Sequence, residues 1–140
     1  MSTRLTDVER RERAMLEDQL LELLIDPETG LAPRLQWETF HVRPARTKKG
    51  WRTPAQGSMA SGWPDLVLVR RRDRRLIFAE LKRELEVPRP EQLDILQLLG
   101  VLAGEHYIGA HPTVRLDVAV WRPSDLRDPI ETSVIGRVLA

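Results

Sequence analysis

Two acids and one lysine carry the chemistry that this chain could do. Asp65 closes the stretch Gly62-Trp63-Pro64-Asp65, and Glu80 and Lys82 lie in Phe78-Ala79-Glu80-Leu81-Lys82, on either side of the polar run from Arg70 to Arg75. Segments rich in Val, Leu, Ile and Phe flank that run, so residues 62 to 84 are expected to form an antiparallel hairpin. With an even-length turn centred on Arg72-Asp73, Arg71 faces Arg74 and Asp65 falls opposite Glu80. Opposed residues carry Cβ atoms roughly 4.5–5.5 Å apart on one face, close enough for two carboxylates to share a divalent cation. Lys82, two residues beyond Glu80, points to the same face. Acids so placed in a partly buried site repel unless a cation lies between them, so the spacing predicts a metal site.

Helices on either side of the hairpin must bring further groups to it. Residues 6 to 25 carry a helical pattern, with Thr6 as N-cap, Glu9 as its capping-box partner and Asp26-Pro27 as the stop. On one continuous helix Ala14, Leu20, Leu21 and Leu24 fall within about 60° of Glu17. Glu17 is thus expected inside the apolar arc, with Glu12 and Glu22 on the far side and Asp18 and Glu9 at or beyond the edges. A buried acid is costly without a partner; Glu17 is either part of the site or a rim acid paired with an arginine. Pro88-Arg89-Pro90 opens a second helix over residues 90 to 104, with Gly104 near its end. There Ile95, Leu96, Leu99 and Ala103 lie within about 60° of Gln92. Gln92 therefore points along the buried stripe, where it can bond a carboxylate, water or phosphate, or serve as a core-edge residue bonded to backbone.

The remaining segments are plainer. Residues 35 to 42 alternate as a strand, with Leu35, Trp37, Thr39 and His41 on one face and Gln36, Glu38, Phe40 and Val42 on the other, so Glu38 and His41 make a poor catalytic pair. Residues 43 to 62 form a long irregular stretch holding Arg43, Arg46, Lys48, Lys49 and Arg52 with Trp51. Next to a metal site, such a basic loop suits phosphate contacts and base stacking in DNA; a solvated loop is the alternative. Residues 105 to 114 read as a loop whose His106 and His111 lack ligand spacing, and residues 114 to 121 as a strand. Ser124 is expected to cap a last helix containing Ile130, Val134, Ile135 and Val138. The order helix, strand, strand, strand, helix, strand, helix gives an α/β fold, a mixed sheet of about four strands flanked by helices.

A length of 140 residues suits one domain, 1–140. The 22 basic and 21 acidic residues leave a net charge of +1, so the partner must be inferred from where charges cluster. Cysteine is absent, which excludes disulfides and thiolate metal sites. No segment resembles a signal peptide or membrane span, and a soluble cytoplasmic protein is expected.

These residues together resemble the VRR-NUC family of the PD-(D/E)xK, or restriction-endonuclease-like, nuclease superfamily. The matching pieces are Gly62-Trp63-Pro64-Asp65-Leu66, Phe78-Ala79-Glu80-Leu81-Lys82 and Pro90-Glu91-Gln92, with Glu17 on the first helix and Val118-Ala119-Val120-Trp121-Arg122-Pro123 at a strand end. The resemblance spans about residues 14 to 127 and implies a restriction-endonuclease-like core, α-β-β-β-α-β plus a C-terminal helix. It implies that Asp65 and Glu80 hold Mg²⁺ or Mn²⁺, joined by the Leu81 backbone carbonyl, that Lys82 orients or helps deprotonate the attacking water, that Glu17 completes the site through water or a second metal, and that Gln92 supports it. It further implies a homodimeric, structure-selective endonuclease acting on duplex or branched DNA such as Holliday junctions, in phage or bacterial repair and recombination, with no organic cofactor. An RNA-processing nuclease with the same site and a non-catalytic nucleic-acid-binding module are the alternatives. One feature of composition favours the catalytic reading. Of the 22 cations only Lys48, Lys49 and Lys82 are lysines, and lysine, unlike arginine, shifts its pKa readily beside carboxylates and metal. A strand-edge salt bridge from Lys82 to Glu80 is the plainer account.

Overall fold

A computed structural model describes residues 3–41, 45–47, 50–52 and 55–140. The chain divides into two compact units. One holds the chain up to Trp37 with Leu81–Val87 and Val120–Ala140; the other holds Glu38–Glu80 and Pro88–Ala119.

The second unit contains most of an α/β sheet. Its strands β1 (Glu38–His41), β4 (Leu66–Arg70), β5 (Arg75–Leu81), β6 (Gly104–Ile108) and β7 (His111–Trp121) lie in the order β1-β4-β5-β7-β6, and β2 (Ala45–Thr47) pairs with β3 (Gly50–Arg52) in a separate ribbon. The pairs β1/β4, β4/β5 and β6/β7 are antiparallel. Between β5 and β7 the backbone bonds Arg115 N–H to Arg74 O and Lys82 N–H to Trp121 O, both 3.0 Å, ascend together along the two chains. Those strands are therefore parallel and the sheet is mixed. Parallel neighbours need a long connection, and this one contains α4 (Pro90–Val101), whose Ile95, Leu96 and Leu99 are buried.

The sheet has five strands rather than about four, because residues 104–108, expected largely as loop, form β6. Gly109 at φ +58° allows a tight turn through Ala110, so Ile108 can face His111 and His106 can face Val114. Helix α4 correspondingly stops at Val101, and Gly104 opens the next strand at φ +113°. The stretch 43–62 likewise holds the β2/β3 ribbon and a 3-10 turn, Ala60–Gly62, rather than being irregular throughout.

Helices make up the first unit. The expected helix over 6–25 is two, α1 (Asp7–Ala14) and α2 (Glu17–Ile25), separated by extended residues Met15 and Leu16. At its start the Thr6–Glu9 capping box forms as expected, with bonds of 2.7 and 3.1 Å. The break comes where Gln19 accepts from the Leu16 N–H at 2.8 Å and starts a new helix with Glu17 and Asp18 in its first turn, favourable to the helix dipole. Leu20, Leu21 and Leu24 form the buried stripe of α2, whereas Ala14, now on another helix, is exposed. Glu12, expected to face away from the core, is buried because Arg127 donates to both its oxygens, Nε at 2.8 Å and Nη2 at 2.5 Å.

Two further expectations fail for tertiary reasons. Residues 35–37 are not strand: Leu35 closes the short helix α3 (Leu31–Arg34), Gln36 adopts φ +66°, and Trp37 is buried with its indole N–H donating to Leu139 O at 2.9 Å. Ser124 caps no helix; its backbone N–H donates to Glu84. The last helix is α5 (Val134–Leu139), capped by Ser133, whose hydroxyl accepts from Gly136 N–H at 2.9 Å. Pro129 and two 3-10 turns, Pro123–Leu126 and Ile130–Thr132, precede it.

Candidate functional site

The β4–β5 hairpin has the register expected from its turn. Leu66 pairs with Ala79, Val67 with Phe78, Leu68 with Ile77, Val69 with Leu76 and Arg70 with Arg75. Asp65 precedes the first paired residue by one position, and continuing that register sets it opposite Glu80. The two faces of the hairpin differ sharply. Leu66, Leu68, Ile77 and Ala79 are wholly buried. Asp65, Val67, Leu76 and Phe78, on the alternate face, are half-buried, and Val69 is exposed. Glu80 lies on that more open face and is nevertheless 0% exposed.

Gln92 accounts for part of how a carboxylate is kept there. It occupies the first turn of α4 on the buried stripe, and its Nε2 donates to Glu80 Oε1 at 2.6 Å. Its own Oε1 accepts from the Arg89 backbone N–H at 2.9 Å, which fixes the orientation of the amide. The position of α4 is fixed in turn by the 3-10 turn before Trp63. Arg89 Nη2 donates to Ser61 O at 3.2 Å, and Gly62 packs so tightly that a Cβ there would lie 2.2 Å from Glu91 O. Asp65 is braced through its backbone carbonyl, which lies 2.9 Å from His41 Nδ1.

At the far end of the hairpin the arginines are tied into the turn and sheet. Arg70, on the buried face and 2% exposed, donates from Nε and Nη2 to the two oxygens of Asp73 at 3.0 and 2.8 Å. That bidentate bond holds the Asp73 carboxyl below the usual carboxylate range. Arg71 pairs with Glu38 at 2.9 Å, and both Arg75 and Arg115 reach Asp117, at 3.5 and 3.3 Å.

Within the helical unit, Lys82 is buried and its Nζ lies 4.0 Å from Glu17 Oε1, while its backbone N–H donates to Trp121 O. Glu17 is half-buried. The carboxylate that the sequence places on an apolar helix face is thus set beside the lysine singled out by composition. Leu81, which joins Glu80 to Lys82, is 2% exposed.

Among the candidates, then, Glu80 and Gln92 are brought into contact, Lys82 and Glu17 form a second pair, and Asp65 continues the register opposite Glu80. Among the described residues no three acids or histidines gather into a ready-made metal cluster. Of the basic residues, Arg43, Lys48 and Lys49 lie outside the described residues, and Arg46 and Arg52 belong to the β2/β3 ribbon, where Arg46 pairs with Trp51 and Ala45 with Arg52. Sequence reasoning missed the contact of Trp63 with Phe78, whose ring centroids lie 5.3 Å apart at 83°. A signal for half of it was present, since period-2 alternation sets Phe78 on the same strand face as Glu80. No protein-family model, curated protein or solved structure matches the chain.

Proposed function

We propose that this protein is a metal-dependent nuclease of the PD-(D/E)xK type, with a restriction-endonuclease-like core and a VRR-NUC-like site, that hydrolyses phosphodiester bonds in DNA. One observation carries the reading most: Glu80 is a fully buried carboxylate held by Gln92 at 2.6 Å, one position past the Leu66–Ala79 pair and two residues before Lys82. A carboxylate held in this way keeps one orientation, as a hard-oxygen ligand for a divalent cation must. The donor set also fits the ion. Carboxylates and the Leu81 carbonyl are hard oxygen ligands that suit Mg²⁺ or Mn²⁺, and the chain has no thiolates. A divalent cation at such a site lowers the pKa of an attacking water and offsets charge on the phosphate.

The roles of the side chains follow from their chemistry. Asp65 and Glu80 hold the cation; Gln92 fixes the Glu80 rotamer. Lys82 enters through the chain itself, one residue past Leu81, and its ammonium orients the water and offsets phosphate charge. Glu17, 4.0 Å from Lys82, positions that ammonium. The basic segment around Arg43, Arg46, Lys48, Lys49 and Arg52 supplies phosphate contacts. Structure-selective cleavage of branched DNA by a homodimer, in phage or bacterial repair, is the corresponding biological reading.

The test is incubation with labelled duplex, flap and four-way-junction DNA in Mg²⁺ or Mn²⁺. Cleavage is expected, and Asp65→Ala and Lys82→Ala are expected to lower it at least 100-fold, about 2.7 kcal/mol in the barrier. No cleavage of any substrate, or cleavage undiminished in both variants, would sink the proposal, and parallel RNA substrates separate the two nucleic acids.

A further inference from the structure

We infer that Trp63 and Phe78 form a platform that stacks an unpaired nucleobase beside the phosphate engaged by Asp65 and Glu80. The inference rests on the nuclease reading of those acids and adds to it the form of the substrate. Phe78 precedes Glu80 by two residues on the same strand and faces the same side of the sheet, about 7 Å away at strand rise, the scale of one nucleotide step. Trp63 precedes Asp65 by the same two positions on the other chain of the hairpin. Because the strands are antiparallel, these two offsets run in opposite directions along the hairpin, so the two aromatic positions flank the acid pair in register and the ring contact joins them.

Three features distinguish this pair from ordinary core packing. Both residues are half-buried, whereas the opposite face of the same hairpin is closed completely at Leu66, Leu68, Ile77 and Ala79. The surface continues outward through half-buried Val67 and Leu76 to Val69, which is 38% exposed, so the pair forms part of an incompletely covered apolar surface. The rings also meet edge to face, at 83°. In that geometry one ring presents only its edge, keeping both of its π-faces clear of its partner, where a stacked pair would use a face of each.

A base within a duplex has its faces covered by its neighbours; an unpaired or extruded base has one to offer. A platform of this kind recognises any of the four bases, because each has a π-face. It selects the state of the strand rather than its sequence. Cleavage next to an unpaired nucleotide, as at a flap or the centre of a junction, follows.

The experiment uses the full chain and a duplex carrying a single-stranded flap, in which an abasic nucleotide is stepped through the flap and the junction. Binding is read by fluorescence anisotropy in EDTA, and cleavage in Mn²⁺. Wild-type protein is expected to bind the intact flap about 5- to 100-fold more tightly than the flap with its abasic nucleotide at one position. That ratio is expected to fall to about one in Trp63→Leu and in Phe78→Leu and to persist in Trp63→Phe. A 2-aminopurine at the sensitive position is expected to be quenched by wild type and not by Trp63→Leu.

If the two rings serve packing alone, the leucine variants lose stability to urea while the ratio stays at its wild-type value, and the inference is overturned. It is also overturned if the wild-type ratio is close to one at every position; cleavage that depends on Asp65 would then leave the nuclease reading standing. Failure to bind any DNA in EDTA overturns the inference alone, and failure to cleave any with metal overturns both. Phe78→Leu and Trp63→Phe decide the matter if circular dichroism shows that Trp63→Leu does not fold.

Discussion

Substituting Gly62 with alanine tests whether the backbone contact beneath α4 sets the geometry of the site. The backbone of Gly62 lies outside the left-handed region, so alanine meets no conformational penalty there, and the effect of the substitution is steric. Its Cβ would meet Glu91 O at 2.2 Å, Glu91 C at 2.7 Å and Ile95 Cγ1 at 2.9 Å. Ordinary contact between such atoms is near 3.5 Å, so the start of α4 must retreat by about 1 Å. Gln92 follows Glu91 directly, and the same retreat takes its 2.6 Å bond to Glu80 to roughly 3.6 Å, beyond a hydrogen bond. Overpacking costs about 1–3 kcal/mol and loss of a bond to a charged group about 1.5–3 kcal/mol. The sum is about 2.5–6 kcal/mol, or about 1.7–4 M in urea midpoint at an m-value of about 1.5 kcal/mol per M. Gln92→Leu alone is expected to cost about 1.5–3 kcal/mol. Because both changes remove one and the same bond, the double variant should be less destabilised than the two singles together, by about 1.5–3 kcal/mol. Urea unfolding of the four proteins, followed by far-ultraviolet circular dichroism, measures the cycle. Strict additivity, or a Gly62→Ala midpoint within about 0.5 M of wild type, refutes the reasoning.

Titration calorimetry should show Mn²⁺ binding to the wild type that Glu80→Gln reduces at least 100-fold, since the substitution removes the charge while keeping the shape; unchanged binding would place the metal elsewhere. The pH dependence of stability is expected to carry an acid limb from Asp73. Its carboxyl is lowered mainly by the hydrogen bonds from Arg70, so its contribution is fully present above the unfolded value of about 4 and is lost as pH falls through the lower folded value. Glu9, lowered by Thr6, and Asp26, lowered by the N–H groups of Thr29 and Glu28, act in the same direction. Asp73→Asn should therefore flatten part of the loss of urea midpoint between about pH 4.5 and 2.5 and leave the rest. A profile identical to wild type would show that the Arg70–Asp73 pair contributes nothing to the titration.

What the sequence made legible was local, and what it hid was tertiary. The hairpin register could be read because an even-length turn and two apolar runs leave one alignment that keeps Leu66, Leu68, Ile77 and Ala79 on a single face. The Thr6–Glu9 capping box and the buried Gln92 were legible for the same reason, each being a pattern within one helix. The break at Met15-Leu16 was not, since the burial of Glu12 that accompanies it depends on Arg127, 115 residues away. Trp37 left the expected strand to reach Leu139 O, 102 residues away, a partner that alternation along residues 35 to 42 cannot reveal. Strand β6 was hidden because Glu105 and His106 look like loop residues until β7 pairs with them. Gly62 was visible as a glycine, but its close approach to Glu91 depends on how α4 packs.

The hairpin joins these observations into one physical argument about register. Side chains alternate with period two, so a slip of one residue between β4 and β5 would exchange the faces: it would turn Asp65 or Glu80 away from the site and carry polar groups into the core. The four fully buried apolar residues oppose such a slip from one side. Arg70 opposes it from the other. It stands on the buried face, 2% exposed, where a guanidinium is tolerated only with its donors satisfied, and Asp73 in the turn presents both oxygens to it. A slipped register would separate that pair and strand a buried charge, at a cost of several kcal/mol. The arginine-rich turn lies about five strand residues from the acids, roughly 17 Å at strand rise, too far for its side chains to reach them. Its connection to the site is nonetheless direct: the Arg70–Asp73 bond supports the alignment that pairs Leu66 with Ala79 and, continued by one position, sets Asp65 opposite Glu80.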